Sequence, residues 1–447
     1  MKIPLAPPDP ASILSDLNPE LFGKIYSASS PTVNEAYLHW DQLRHRPPPE
    51  GLSSAQWWAA IKLARAGMLQ ALPLVNKRGQ PFKIGMPEII LIDLHHIDKD
   101  AAGQIQSAVE VTTSDNRDRY LFQSTIEEAI TSSQLEGAAT TRRVAEDMLR
   151  EGRKPRDHSE RMIFNNFNAM ELIRDIRHEP ITPDRVLELH RILTESTLDD
   201  PADAGRLRMS DDVRVVDNSD GKIIHQPPSH NELEDRLEKL CAFANADEGS
   251  KPFVHPVLRA ILLHFMIGYD HPFVDGNGRT ARALFYWSIA KSGYWLMEFV
   301  SISHYLRRAP SQYVRSYLHT ETDDDDTTYF LIHQLAVIRK AIIGLHEYLA
   351  RKVAEQKSTE RLLAGSGKLR NRLNHRQLAL LTHALKYPGE VYKIEGHQRS
   401  HAVVYETARS DLLGLHELGL LGKQKVGKSF LFDAPVNLRE TIAKLAE

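Results

Sequence analysis

The stretch His271–Arg282 reads HPFVDGNGRTAR and combines a histidine, an aspartate, a Gly-Asn-Gly run and two arginines. Gly276, Asn277 and Gly278 tolerate left-handed backbone conformations, and a helical pattern begins directly after them at Arg279. Successive backbone N–H groups at such a junction bind anions, and the N-terminus of the following helix strengthens the effect. The segment therefore predicts a phosphate-binding loop followed by a helix.

The side chains of this segment fit the same chemistry. Arg279 and Arg282 lie three apart on the predicted helix, so both face one side, where guanidinium groups bind polyphosphate. Asp275 offers a hard oxygen ligand of the kind that Mg²⁺ prefers, and Mg²⁺ usually arrives with a phosphate. His271 is the group here that accepts a proton at neutral pH, and Phe273 is interpreted as an apolar anchor. A lone Gly-x-Gly would favour a surface turn, but this combination favours a nucleotide site.

Length and composition limit the class of protein. The 447 residues suggest two to four domains, and 42% hydrophobic with 26% charged residues is typical of a globular chain. A net charge of -3 argues against nucleic-acid binding over the whole surface, so any such site must be local. One cysteine, Cys241, excludes an internal disulfide framework and fits a reducing, cytoplasmic location. Neither a signal peptide nor a membrane span is expected.

Helical periodicity dominates the chain and predicts a mostly α fold. Residues 1–115 are interpreted as an N-terminal accessory region with a short strand at Ile89–Leu94, and residues 116–350 as a helical core. Within this core, Val213–Ile224 predicts a β-hairpin with Asp220 and Gly221 in its turn. The acidic run Asp323–Asp326 lacks the pattern of a calcium loop and is interpreted as a solvated helix cap. Residues 351–373 are predicted to be a helix extension and linker.

Residues 374–447 are predicted to form a separate C-terminal domain. The pattern indicates a helix at Arg376–Leu385, a strand at Tyr392–Ile394, a long helix at Ser400–Leu418 and a hairpin at Gly422–Phe432. This order is typical of a winged helix-turn-helix. The sequence GKQKVGKS from Gly422 also matches a phosphate-loop pattern, but that loop needs a strand before it and a helix after it. Here the predicted order is the reverse, so a basic wing is favoured.

The twelve residues from His271 match the signature of Fic-domain proteins, HxFx(D/E)GNGRxxR, at every defined position. The chain resembles that family from about Trp40 to Phe432, including SSQLEGAATT from Ser132 and DTTYF from Asp326. The resemblance implies a Fic-type helical core with a hairpin flap. It also implies a protein adenylyltransferase, which transfers AMP from ATP to a Ser, Thr or Tyr hydroxyl of a protein, itself included.

The resemblance assigns the chemistry residue by residue. His271 would deprotonate the target hydroxyl, whose oxygen would attack the α-phosphate of ATP. Asp275 would hold Mg²⁺ against the α- and β-phosphates. Catalysis of this kind is mostly positioning and charge stabilisation, which a cation-rich loop supplies.

The same resemblance implies the ATP-binding residues. Backbone amides of Gly276, Asn277 and Gly278 would hold the phosphates, and the Asn277 side chain would help to fix the α-phosphate. Arg279 would contact the β- and γ-phosphates, and Arg282 would bind the γ-phosphate.

Fic proteins often carry an inhibitory helix with the pattern (S/T)xxxE(G/N), and Ser132–Gly137 matches it completely. The resemblance implies that Glu136 pairs with Arg282 and removes the γ-phosphate's anchor. Residues 118–137 are accordingly predicted to be an inhibitory helix ahead of the core, with Ser132, Glu136 and Gly137 as its pattern residues. The alternative is an ordinary helix end, with Glu136 in solvent and Gly137 as its cap.

The hairpin is interpreted as a flap that docks the target protein. An exposed edge strand can align a peptide through main-chain hydrogen bonds alone, which explains why no side-chain preference is evident. The residues predicted to dock the target are Val213, Arg214, Val215 and Val216. The alternative is a hairpin with a purely structural role.

Other functions stay open. The C-terminal domain suggests a DNA-binding regulator as the main alternative, with phosphate contacts predicted at Arg399, His401, Arg409, Lys423, Lys425 and Lys428. Interspersed acidic residues argue against this, and winged helices also dock proteins. Further alternatives are a degenerate Fic binding module, removal of AMP, and use of another nucleotide. The resemblance makes a homodimer plausible, and the sequence identifies no target protein.

Overall fold

The computed structural model describes residues 3–15, 18–102, 114–217, 221–247, 249–364, 372–426 and 429–444. The chain is mostly helical, as the sequence predicts, with three small antiparallel sheets among the described residues. The N-terminal region contains α1 Pro10–Ser15, α2 Pro19–Ser27, α3 Trp40–Leu43, α4 Ser54–Ala66, β1 Gln70–Val75, β2 Pro81–Ile84 and α5 Glu88–Ile97.

The central region is a bundle of helices interrupted by one hairpin. Its elements are α6 Ser114–Leu135, α7 Arg142–Glu151, α8 His158–Asp175, α9 Pro183–Thr194, β3 Val215–Val216, β4 Ile223–His225, α10 Leu233–Asn245, α11 Pro256–Asp270, α12 Asn277–Lys291, α13 Ile302–Leu306, α14 Pro310–Thr322 and α15 Thr328–Ala364. Short 3₁₀ turns lie at Pro201–Asp203, His230–Glu232 and Trp295–Phe299.

Two adjacent helices, α11 and α12, form the centre of the main core. Every residue from Val257 to Ile267 and from Arg279 to Ile289 is buried, so neither helix has a solvent face. A helix that is buried all round needs other helices on every side, and α8, α9, α10 and α15 supply them. The turn between α11 and α12 is the first part of the signature segment, and this packing holds the turn at both ends.

The expected strand at Ile89–Leu94 is wrong, because these residues lie within α5. A short apolar run does not by itself separate a strand from a buried helix. The buried positions Ile90, Leu94 and Ile97 follow helical spacing, so the core contact selects the helix. The strands of this region, β1 and β2, lie earlier in the chain and pair antiparallel.

The acidic run is not a solvated cap. Asp323 accepts from Lys62 at 2.7 Å and Asp326 accepts from the Tyr37 hydroxyl at 2.6 Å, and both aspartates are buried. Asp326 does cap α15, because its carboxylate also accepts the N–H of Thr328 at 3.0 Å. The acidic run Asp323–Asp326 therefore joins the N-terminal region to the helical core by hydrogen bonds.

The C-terminal unit has its own small core. It contains α16 His375–Lys386, β5 Val391–Lys393, α17 Ile394–Ser400, α18 Tyr405–Glu417, β6 Gly422–Val426, β7 Ser429–Asp433 and α19 Leu438–Lys444, with sheet order β5-β7-β6. The helix predicted over Ser400–Leu418 is wrong at its start. The turn His401–Val404, where Ala402 has a φ of 48°, separates α17 from α18.

One described segment has the length and composition of a membrane-spanning helix. Thr328–Arg351 within α15 reaches a mean hydropathy of 1.2 over eighteen residues. Of that window, 61% is buried inside the fold, as in the central helix of a helical bundle.

Candidate active site

The signature segment turns sharply between the two central helices. α11 is capped by His271, whose φ of 43° is left-handed, and α12 is capped by Gly276 at a φ of 80°. A Cβ on Gly276 would lie 2.7 Å from the Thr194 methyl group, so only glycine fits there without a shift. The helix begins at Asn277, two residues before the position predicted.

Two side chains within the segment brace the turn. Phe273 is fully buried, as predicted, and stacks on the His190 ring with centroids 3.7 Å apart. The Asn277 amide accepts the N–H of Phe273 at 3.0 Å and donates to its carbonyl at 2.9 Å. In this conformation Asn277 therefore holds the loop, in addition to lying at the predicted phosphate site.

His190 on α9 is a supporting residue that the sequence did not reveal. Its Nδ1 accepts the N–H of Gly205 at 3.0 Å, so its Nε2–H donates to the Asp275 carbonyl at 2.9 Å. Burial lowers the pKa of His190 to about 4, which keeps this neutral tautomer at neutral pH. A single histidine in a helical pattern gives no sign that it will hold a loop some eighty residues later.

His271 is half-buried and has one defined ring partner. Its Nδ1 lies 2.7 Å from the Gly268 carbonyl, which can only accept, so Nδ1 carries the hydrogen and Nε2 carries the free lone pair. Burial is the largest influence on the pKa of His271 and lowers it below the ordinary value of 6.5. At neutral pH the ring is therefore neutral, with a proton-accepting nitrogen.

The two signature arginines are both buried but have different partners. Arg279 donates to the Leu193 carbonyl at 2.9 Å and to the Asp275 carboxylate at 3.3 Å. Arg282 donates from Nε to the Ser132 hydroxyl at 2.8 Å and from one NH₂ group to the Glu136 carboxylate at 2.8 Å. The predicted common face is thus divided, with Arg279 turned toward α9 and Arg282 toward α6.

Glu136 lies against the first turn of α12. α6 ends at Leu135, and Gly137 follows with a φ of 97°, so Glu136 sits at the helix end within the predicted range 118–137. Its side chain is about one-third exposed, and a Cβ on Gly278 would lie 2.1 Å from its carboxylate. A carboxylate therefore occupies the N-terminal end of α12, where a helix favours negative charge.

Another carboxylate, that of Glu128 on α6, is buried and holds this helix in place. Glu128 accepts from the hydroxyls of Tyr286 at 2.9 Å and Ser301 at 2.8 Å, and from Ser303. Burial is the largest influence on the pKa of Glu128 and raises it, although these donors oppose the shift. The network joins the helix that carries Glu136 to α12 and α13.

The flap is a short hairpin. Val215 pairs with His225 and Val216 with Ile223, whereas Val213 and Arg214 precede the strand. Residues 218–220, including Asp220 of the predicted turn, lie outside the described residues. Val216 and Ile223 are more than two-fifths exposed, so the strand presents apolar side chains to solvent.

Asp275 has the properties of a magnesium ligand. Its side chain is 60% exposed at the rim of the loop, and its second oxygen lies 3.3 Å from Arg279. Within the described part of the chain, no group of three His, Cys, Asp or Glu residues clusters as a metal site. One carboxylate with substrate phosphates and waters fits the way Mg²⁺ is commonly held.

The basic residues of the C-terminal unit are placed differently from one another. Arg399 lies against α7 and donates to the Arg150 carbonyl at 3.5 Å, and Arg409 pairs with Glu406. His401 is buried, whereas Lys423 and Lys425 on β6 are exposed. Lys428 lies outside the described residues.

Part of the chain is similar to a known protein family. Residues 180–289 match the Fic/DOC family. "Protein adenylyltransferase Fic" of Nematostella vectensis is 34% identical over 118 residues, which cover 26% of this chain and 25% of that protein. The protein of the same name from Drosophila virilis is 33% identical over 159 residues, covering 35% and 30%. The aligned region thus spans less than a third of either relative.

Solved structures of Fic proteins are also similar. A Fic family protein from Desulfovibrio desulfuricans G20 has 16% identity and a TM-score of 0.48, covering 78% of this chain and 96% of that one. Residues 134–508 of Fic-1 from C. elegans have 18% identity and a TM-score of 0.47, covering 78% and 90%. The match to the Fic/DOC family covers residues 180–289, and the complete signature His271–Arg282 lies inside it.

Proposed function

We propose that this chain transfers AMP from ATP to a hydroxyl group of a protein and that Glu136 restrains this activity. The observation that carries the proposal is the tautomer of His271, whose Nε2 keeps an acceptor lone pair in the segment that leads into the Gly-Asn-Gly run. A neutral acceptor nitrogen beside an anion-binding helix N-terminus suits a reaction that removes a proton and stabilises phosphate charge.

In the proposed reaction, the target's hydroxyl oxygen forms a bond to the α-phosphorus of ATP. The bond between that phosphorus and the oxygen bridging to the β-phosphate breaks, and pyrophosphate leaves. The hydroxyl proton passes to Nε2 of His271. Backbone amides at the start of α12 hold the phosphates, and Phe273 and Asn277 keep that loop rigid.

Mg²⁺, when bound, supplies positive charge that neutralises the phosphates. Asp275 is the residue that would hold it. His190 supports the position of Asp275, because its Nε2–H donates a hydrogen bond to the Asp275 backbone carbonyl. The Asp275 side chain itself is 60% exposed.

Restraint by Glu136 is supported by the 2.8 Å contact between its carboxylate and the buried Arg282 guanidinium. An arginine engaged in this way is unavailable for a γ-phosphate. The carboxylate also lies over Gly278, so it competes with phosphate for the N-terminal end of α12.

The position of a radioactive label tests the reaction. Purified Glu136→Gly protein is incubated with Mg²⁺ and ATP labelled at either the α- or the γ-phosphate. The proposal expects α-label on the protein, a mass gain of one AMP, and released pyrophosphate. Transfer of the γ-label would show that the reaction is phosphoryl transfer and not AMP transfer. Incorporation from another nucleotide but not from ATP would show that ATP is not the donor.

The pH dependence follows from the burial of His271. The neutral ring is the active form, and its lowered pKa keeps that form populated below the usual titration range. The rate of the Glu136→Gly variant should therefore be constant near neutrality and fall only below pH 6.5. Saturating ATP and a profile from about pH 5 to about pH 8 measure this, and an inflection above pH 6.5 would contradict it.

Asp275→Asn tests the magnesium assignment. The amide keeps the size but loses the charge, so the Mg²⁺ concentration for half-maximal rate should rise at least about tenfold. The measurement is a Mg²⁺ titration of AMP transfer in the Glu136→Gly background. Asp212→Asn, an exposed carboxylate outside the loop, is the matched control. An unchanged titration would remove Asp275 as the ligand.

We further propose that the C-terminal unit is a winged helix-turn-helix. The order of α16, β5, α17, α18 and the β6–β7 hairpin supports it. DNA binding stays a prediction, and only Lys423 and Lys425 of its predicted contacts are exposed without a carboxylate or backbone partner among the described residues. A protein as the target, a homodimer and a cytoplasmic location likewise stay predictions.

A further inference from the structure

Arg208 lies outside the signature segment but contacts its backbone. This arginine is only 2% exposed, and its Nε donates to the His271 carbonyl at 2.9 Å. Its own backbone N–H donates to the Pro272 carbonyl at 2.9 Å. The first two residues of the signature are thus held from one side by a single residue.

The same guanidinium holds both ends of the flap. One terminal nitrogen donates to the Ser210 carbonyl at 2.7 Å and to the Asp211 carboxylate at 2.9 Å. The other donates to the Pro228 carbonyl at 2.5 Å. The chain leaves this point at Ser210 and returns to it at Pro228, so Arg208 closes the base of the flap.

Asp211 extends this closure to the residues after the flap. Its carboxylate accepts the backbone N–H of His230 at 2.7 Å and the Ser229 hydroxyl at 3.2 Å. The backbone donor at His230 is the largest influence on the pKa of Asp211 and, with Arg208, lowers it. The carboxylate is therefore ionised at neutral pH. We call these two side chains the Arg208–Asp211 clasp.

We propose that Arg208 is a positioning residue that couples the target-docking flap to His271. Through the clasp, both ends of the flap and the backbone of His271 are hydrogen-bonded to the same side chain. His271 has a left-handed backbone, which is unfavourable for a residue with a side chain and needs external support. A target hydroxyl aligned on the flap then arrives at a fixed distance from Nε2.

The chemistry of the site requires arginine. A planar guanidinium presents five N–H donors in a fixed fork. That of Arg208 uses all three of its nitrogens and bonds to four acceptors. A lysine ammonium presents three donors from one atom, so it can hold the flap or the His271 carbonyl but not the whole set. Arg208→Lys is therefore a partial replacement.

Hydrogen exchange of the full chain tests the coupling without any reaction. Arg208→Gln should speed exchange at least about tenfold in two separate segments together, residues 209–228 and residues 268–274. Arg206→Gln is the matched control, because Arg206 is a neighbouring exposed arginine whose salt-bridge partner among the described residues is Asp203. Faster exchange in the flap alone would overturn the coupling. If Arg208→Gln does not fold, Arg208→Lys makes the same comparison.

Kinetics in the Glu136→Gly background test the positioning role, and this arm rests on the proposed AMP transfer. Arg208→Gln should lower kcat at least about tenfold while KM for ATP changes less than about threefold, with Arg208→Lys in between. A raised KM for ATP with unchanged kcat would refute the role, as would an equal loss in Arg206→Gln. Absence of AMP transfer in the Glu136→Gly parent would count against the function, and hydrogen exchange would still decide the coupling.

Discussion

His271→Ala in the Glu136→Gly background is expected to lower AMP transfer by about 10²- to 10⁴-fold, the usual contribution of a positioned general base. The reason is that Nε2 of His271 is a neutral acceptor, because Nδ1 carries the hydrogen and donates it in a hydrogen bond to the Gly268 carbonyl. Removing the ring leaves bulk water to take the proton. The measurement is the initial rate of α-label incorporation at saturating Mg²⁺ and ATP.

Affinity for ATP should be nearly unchanged in this variant, because the amides and arginines that bind phosphate remain. His178→Ala, at an exposed histidine far along the chain, controls for histidine replacement in general. A variant that keeps more than about a tenth of the parent's rate would remove His271 from the role of base.

Glu136→Gly is expected to raise AMP transfer of the otherwise unaltered chain about 10- to 100-fold. A hydrogen bond between charged groups contributes about 1.5–3 kcal/mol, and this contact competes with phosphate for Arg282. Removal of the carboxylate also clears the space beside Gly278 at the start of α12. The measurement is automodification by mass gain, compared with the unaltered protein.

Glu136→Gln separates charge from shape and should give an intermediate rate, because an amide can still bond to Arg282 but bears no charge. Glu127→Gln on the same helix is the matched control, since Glu127 pairs with Arg142 and His304 instead of a signature residue. If Glu136→Gly incorporates AMP no faster than the unaltered chain, the restraint is wrong.

The sequence was most informative where local chemistry is dense. The Gly-Asn-Gly run predicts its own left-handed turn, and Gly276 has the required positive φ. The apolar peg Phe273 is buried as expected. Helical periodicity predicts the mostly α core, because burial on one face or all round is a property of spacing along the chain.

Sequence patterns failed where distant contacts decide a structure. Ile89–Leu94 is apolar enough for either a strand or a helix, and packing against the core selects the helix. The sequence predicts that Asp323 and Asp326 are solvated. In the fold they are buried, because they bond to Lys62 and Tyr37, which lie more than 250 positions away. The break between α17 and α18 depends on the left-handed backbone of Ala402. Since this residue is neither glycine nor proline, the sequence does not indicate that a helix ends there.

By itself, the sequence determined the family signature, the phosphate-type loop, and His271 and Glu136 as candidates for base and restraint. The tertiary structure alone decided which nitrogen of His271 is free and that Arg279 turns toward α9. It also decided that His190, Glu128 and Arg208 hold the site from three other elements. The physical reason is that a local pattern records residue types and spacing, whereas a hydrogen bond depends on where the folded chain places its partner.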